Sequence, residues 1–225
     1  MPAQLAYIAY MRRLSLLLLS CAVLGGACHR AKPLIAPAPR GLDTAGPDSF
    51  TVRFTTTRGP FDLKVHRDWS PRGADRLYWL VNHRYYDGVR FFRAVPNFVV
   101  QFGMSGDTTV SRVWRDRSFA DDTVTRGNVR GTLSFATGGP NTRTTQLFIN
   151  LRDNQRLDSR GFSVAAQVVA GMDVVDSLYQ GYGEGAPRGK GPSQDRIGKE
   201  GEAYLAREFP LLDKIVTARV VQRWR

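Results

Sequence analysis

Residues Phe91 to Gly103 read FFRAVPNFVVQFG, and their interpretation decides the fold. Apolar residues flank Pro96-Asn97, a pair that interrupts a strand and starts a turn. The stretch reads as two short strands, 89–95 and 97–103. Arg93 and Gln101 sit inside them. A cation and an amide are out of place on the wall of a β core, where an unpaired polar group is costly.

The same two-residue period recurs on both sides of this stretch. Phe50, Val52 and Phe54 alternate with polar residues, as do Phe61, Leu63 and Val65, and the turn-like TTTRGP between them makes a hairpin. Further strands are expected at 131–137, 145–151, 163–169 and 213–221. Only three segments read as helical. Ser70 is a natural N-cap and Pro71 suits the first helical position. A stripe of Ala74, Leu77, Tyr78, Val81 and Tyr85 follows, and Gly88 closes it. A short helix fits Met172–Tyr179, and another fits Ile197–Phe209, with Ala203, Leu205 and Phe209 available for packing. Many short strands, few helices and no βα alternation predict an antiparallel barrel or sandwich.

The N-terminal 47 residues have a different character. Met11-Arg12-Arg13 precedes LSLLLLSCAVLGGAC, a positive region, a short apolar run and small residues, as in an export signal. The run is too short for a comfortable membrane span. Leu24-Gly25-Gly26-Ala27-Cys28 resembles a bacterial lipoprotein cleavage box, with Cys28 as the lipid acceptor; Cys21 is a weaker second candidate. The plainer reading is a secretory signal with an incidental cysteine. The expected organisation is a signal peptide at 1–27, with Met11 as an alternative start, a lipidated Cys28 and Pro-rich tether at 28–47, and one domain at 48–225. Such a chain would be exported and held in a bacterial envelope, on the periplasmic side.

Composition removes most other chemistry. The formal net charge is +12, but the arginines are scattered and no nucleic-acid-binding pattern appears. The three histidines, His29, His66 and His83, lack metal-ligand spacing. No cysteine follows Cys28, so the folded part has no disulfide. No nucleophile elbow or dinucleotide fingerprint is present. Asp121-Asp122 reads as a solvated turn. The stretch GYGEGAPRGKGP, 181–192, falls one residue short of a P-loop and reads as a surface loop. Any activity must need little acid–base work.

What remains is a set of polar residues within apolar strands: Arg93, Gln101 and Gln146, with Asn141 and Arg143 nearby, beside Phe98, Val99, Phe148 and Leu157. At these residues the sequence resembles a known family. YYDGVRFFRAVPNFVVQFG, GTLSFATGGPNTRTTQLFINL and LDSRGFSVAAQVVAGMDVVDSL, in this order, are similar to the cyclophilin peptidyl-prolyl cis–trans isomerases, over about Phe50 to Leu178. The resemblance implies a closed eight-stranded antiparallel β-barrel capped by two helices, here with an extra Gly-rich loop and helix before the last strand. It implies an outward-facing site in which Arg93 is the catalytic arginine and Gln101 orients it. Phe98, Val99, Phe148 and Leu157 would form the proline pocket, Ala136, Thr137 and Gln146 the edge that binds substrate backbone, and Arg156 and Phe162 would also contact substrate. Arg156 stands where an aromatic residue is common, which implies weak binding of cyclosporin-type inhibitors. Phe92 replaces a frequent histidine, Val99 a methionine, and Phe162 lies near a usual histidine. No cofactor or metal is implied, no nucleic acid, and a monomer is expected. The partners would be proline-containing unfolded or extended polypeptides and, through the lipid, a membrane. A non-catalytic proline-peptide chaperone and an envelope scaffold built on 181–212 are the alternatives.

Overall fold

The structure, a computed structural model, describes residues 34–38, 42 and 44–224. The expected signal peptide, Cys28 and most of the tether lie outside the described residues. The chain divides into units Met1–Pro37 and Ala38–Arg225, and every element below belongs to the second.

Eight strands form one sheet: β1 (Ser49–Thr56), β2 (Gly59–His66), β3 (Arg93–Val95), β4 (Val99–Phe102), β5 (Thr132–Phe135), β6 (Leu147–Asn150), β7 (Val164–Ala170) and β8 (Ile215–Trp224). Their spatial order is β3-β4-β6-β5-β7-β2-β1-β8, with every neighbouring pair antiparallel. The sheet curls through a half-barrel. The expected closure is only partly present. β3 is three residues long, and the chain before it leaves regular β geometry. That chain reaches β8 through one bridge, Arg90 to Lys214, and through Phe91 N–H to Asp213 O at 3.0 Å and Ile215 N–H to Val89 O at 2.8 Å.

Alternation along each strand builds the core. Val52, Phe54, Leu63, Val100, Phe102, Leu133 and Ile149 point inward and are at most 1% exposed. Phe54 stacks on Phe61 at 5.1 Å and meets Phe102 edge-on at 5.9 Å.

Helix α1 (Pro71–Asn82) lies against this sheet, but Ser70 does not cap it. The Ser70 hydroxyl donates instead to Asp122 Oδ2 at 2.5 Å. That carboxylate accepts the first helical N–H groups, from Arg72 at 3.1 Å and Gly73 at 2.9 Å. Asp122 is therefore a buried cap from a distant loop, not part of a solvated turn. It also pairs with Arg143, whose side chain is 2% exposed. α1 ends at Asn82, before the expected Tyr85 and Gly88, because Arg84 takes a positive φ of 60°.

Helix α2 (Thr108–Arg115) is absent from the sequence reading. Asp107 caps it, accepting from Thr109 N–H at 2.8 Å, and Trp114 packs on Trp79 of α1 with ring centroids 5.1 Å apart. Eight residues carrying only Val110 and Trp114 inward are too short to show a period. Helix α3 spans Met172–Asp176.

Helix α4 (Gln194–Glu208) begins earlier than expected and is broken at Gly201, with φ 62° and ψ −141°. A Cβ there would stand 2.2 Å from Gly106 O, so only glycine allows this approach. The break rotates the packing face. Tyr204, not the exposed Ala203, joins Ile197, Leu205, Phe209 and Leu212 around Phe92, which is 1% exposed. The side chain at the frequent histidine position thus anchors the extra helix. Arg90 completes the attachment by a fork onto Glu202, the shortest contact 2.6 Å.

Candidate active site

Register places the site. β3 and β4 pair with Arg93 opposite Gln101, and β4 and β6 pair with Gln101 opposite Phe148. Directly opposed residues share a face. Their neighbours Ala94, Val100 and Ile149 fill the interior, so Arg93, Gln101 and Phe148 form a row on the outer face. The cation and amide of the opening stretch therefore lie outside the core and need not be buried unpaired.

The Gly-rich loop extends that row. Gly183 bridges antiparallel to Ala94, which brings Glu184 beside Arg93. Its carboxylate takes Arg93 Nε at 2.6 Å and Nη2 at 2.7 Å, a two-point fork. Arg93 Nη1 donates to Gln101 Oε1 at 3.0 Å. Gln101 Nε2 donates to Gln146 Oε1 at 2.8 Å, and Gln146 Nε2 to Gln194 Oε1 of α4 at 3.1 Å. The Arg93 hydrogen bonds outweigh partial burial and hold the Glu184 carboxyl below its ordinary 4.5. Of the five guanidinium N–H donors, three are engaged, which leaves two.

Beside the row lies an apolar floor. Val99, Phe148 and Leu157 are buried, and Phe98, Ala136 and Phe162 pack against them half-exposed. Phe148 and Phe162 meet edge-to-face at 5.5 Å. A 3₁₀ turn, Gln155–Arg160, turns Leu157 inward and leaves Arg156 outside. The guanidinium groups of Arg156 and Arg93 stand 5.1 and 5.4 Å from the Phe98 ring centre. Together these residues enclose an open cleft of about 510 Å³, which Thr137 also lines. The Thr137 hydroxyl is turned into its own loop toward Gly139 and Thr142. Gln146 lines an adjoining cleft of about 410 Å³ instead, together with Gln194 and Thr142.

Of the residues expected at the site, Arg93, Gln101, Phe98, Val99, Ala136, Thr137, Phe148, Arg156, Leu157 and Phe162 all line one cleft, and Gln146 is bonded to Gln101 at its edge. Asn141 and Arg143 do not line it; they hold Asp121 and Asp122. His66 and His83 are structural, stacked on Trp69 and Trp79 at 4.0 and 3.8 Å. Glu184, Gln194, Arg160 and Arg188 also line the cleft and were not expected. The one signal for Glu184 was its place as a single carboxylate in a loop otherwise rich in glycine and cations. Among the described residues, no group of three or more His, Cys, Asp or Glu could hold a metal ion.

The result is a curled antiparallel β protein with an arginine held by glutamine on its outer face, beside an apolar, partly aromatic floor. Residues 51–199, more than half of the chain, match the family model for cyclophilin type peptidyl-prolyl cis-trans isomerase/CLD, and the chain belongs to that family. A peptidyl-prolyl cis-trans isomerase of Acinetobacter baylyi is 31% identical over 137 residues, 56% of this chain and 70% of that protein. Peptidyl-prolyl cis-trans isomerase A of Dickeya dadantii is 32% identical over 143 residues, 60% and 74% of the two chains. The crystal structure of a Cryptosporidium parvum cyclophilin type isomerase superposes with a TM-score of 0.57, at 19% identity, covering 76% of this chain and 97% of that one. A second structure of it, in the presence of the dipeptide Ala-Pro, gives 0.56.

Proposed function

We propose that the protein accelerates cis–trans isomerisation of X–Pro bonds in unfolded or extended polypeptides, as a monomer held in the cell envelope by a lipid on Cys28. The observation that carries the catalytic reading is the preorganised Arg93–Gln101–Gln146 chain beside the Phe98, Val99, Phe148, Leu157 and Phe162 floor. The X–Pro barrier of roughly 20 kcal/mol comes from partial double-bond character in the amide. Uncatalysed exchange takes roughly tens to hundreds of seconds. No covalent bond breaks, so positioning and electrostatics suffice.

The prolyl ring sits on the floor while the acyl side turns. A remaining Arg93 N–H donates toward the prolyl nitrogen as its lone pair leaves conjugation, and stabilises the pyramidal form. Arginine suits this task because its donors are planar and permanently charged. Gln101 and Glu184 grip the guanidinium from two sides and fix its plane. Gln146, Ala136 and Thr137 receive the substrate backbone. The Ala-Pro dipeptide used with the Cryptosporidium relative is the kind of ligand this reading expects. The test is the refolding of a protein limited by a slow prolyl phase. Catalytic amounts of this protein should speed that phase and leave its amplitude unchanged; an unchanged rate would refute the reading.

Glu184 supports a second reading, a proline-peptide binder in which its fork on Arg93 silences catalysis. In that case Glu184→Gln would raise turnover instead of lowering it.

The envelope assignment rests on the sequence from Met11 to Cys28. Among the described residues no helix is long and apolar enough to cross a membrane. In a bacterial host the full chain should partition into detergent, and Cys28→Ser should release it to the aqueous phase. Equal partitioning of both would overturn the lipid anchor.

A further inference from the structure

The rim of the cleft is strongly one-signed. Arg93, Arg156, Arg160 and Arg188 line it, and Glu184 is its one carboxylate. Several arginines elsewhere on the molecule are matched: Arg53 with Asp62, Arg130 with Asp176, Arg219 with Asp87, Arg196 with Glu200 and Glu208. The three outer rim arginines have no such partner. Arg156 lies over the Phe98 ring, and neither Arg160 nor Arg188 has a side-chain hydrogen bond or ion pair among the described residues. All three are exposed. They come from two separate segments that line the same cleft. Arg156 and Arg160 stand on the 3₁₀ turn, and Arg188 stands on the Gly-rich loop.

Unmatched guanidinium groups around a pocket for a neutral ring have a chemical consequence. They attract carboxylates next to that ring and repel ammonium groups there. Glu184 is committed to Arg93 by two short bonds and also interacts electrostatically with Arg188, so the uncompensated charge lies chiefly on Arg156 and Arg160. Arginine also binds carboxylates in a planar fork, so an acidic side chain in this cleft gains orientation as well as attraction.

We propose that this site selects proline-containing segments in which an aspartate or glutamate flanks the proline, and that Arg156, Arg160 and Arg188 are the specificity-determining residues. This inference rests on the isomerase reading for its rate readout but not for its affinity readout.

The test uses the whole protein and three blocked peptides that differ only in having Glu, Ala or Lys beside the proline, on each side in turn. X–Pro exchange is measured by NMR and affinity by calorimetric titration, at low and high ionic strength. At low salt kcat/KM should fall in the order Glu, Ala, Lys, with about tenfold or more between the ends. High salt should compress the spread, because exposed charges are screened. In Arg156→Gln/Arg160→Gln/Arg188→Gln, with native near-ultraviolet circular dichroism, the Glu-to-Lys ratio should collapse toward one. Equal kcat/KM for the three peptides at low salt overturns the proposal, as does a ratio that survives the triple substitution. If no peptide exchanges faster than it does alone, the isomerase reading fails. The affinity ratio then decides the rim on its own: a Glu preference sustains it and equal affinities refute it.

Discussion

At the scale of single residues, the proposed mechanism assigns the chemistry to Arg93 and its posture to Glu184. A long side chain with free rotamers spends much of its time misaligned, and two anchors remove that loss. Gln101 alone supplies one bond to Arg93, and Glu184 adds two. We expect Glu184→Gln to lower kcat/KM about tenfold with the fold intact, equivalent to about 1.4 kcal/mol of transition-state stabilisation. The pH dependence has a definite sign. The Glu184 carboxyl lies below its ordinary 4.5 because Arg93 bonds to the charged form. A lowered carboxylate contributes fully above its unfolded value and is lost as pH falls through the folded one. Turnover of a neutral peptide should therefore hold from pH 7 to about 5 and decline below 4.5, and the Gln variant should lack that limb. A rate increase in the variant would instead support the silent-binder reading. Arg93 was legible from the motif that contains it. Glu184 was not, because what aims it is the Gly183–Ala94 bridge, a contact between residues far apart in the chain.

At the scale of elements, the interest lies in what the extra segment after α3 does. It is not a detachable surface feature. Its loop supplies Glu184 and Arg188, and its helix α4 supplies Gln194; Phe92 and Arg90 hold it to the sheet. Removing it would strip cover from Phe92, so a deletion would not isolate a scaffold function. Phe92→His restores the frequent family residue, but it would place a polar ring in an apolar cluster. A stability loss of about 2–4 kcal/mol is expected, with faster amide exchange in α4. Unchanged exchange there would show that Phe92 is not the anchor. Asp122→Ala removes the α1 cap and leaves the buried Arg143 with only one of its two carboxylates, Asp121. Chemical denaturation should report a loss of about 3–5 kcal/mol; a change below about 1 kcal/mol would contradict the capping role. The strands were largely legible, because β1 and β2 alternate over eight positions and the four-residue strands are short apolar runs. Helix starts were less so. Ser70 has the right chemistry for a cap, yet a carboxylate from residue 122 takes the position, and no local pattern reports that.

At the scale of the whole molecule, charge and attachment decide where the site can act. The net charge of +12 reads in the sequence as a merely basic surface. In the fold many arginines are neutralised by carboxylates, while three without an ion pair stand around one cleft. Composition gives the total and only the fold gives the partition. The half-barrel was legible as an antiparallel β class from its strand count. Its incomplete closure was not, because that depends on how early β3 loses regular pairing with β8. A lipid on Cys28 would leave the residues between it and the domain as a tether, and a basic body close to anionic headgroups. Binding of the protein to anionic vesicles should then weaken with salt in the Cys28→Ser form but persist in the lipidated one.

On the proposed mechanism Arg93 catalyses X–Pro rotation from the outer face of the sheet. The most direct measurement is NMR exchange of a neutral X–Pro peptide with the wild-type protein and with Arg93→Ala. The account requires exchange far faster than in the free peptide, with a fall of about 100-fold or more in the variant and peptide binding retained. Exchange at the uncatalysed rate in the wild type, or an acceleration untouched by the substitution, would contradict it.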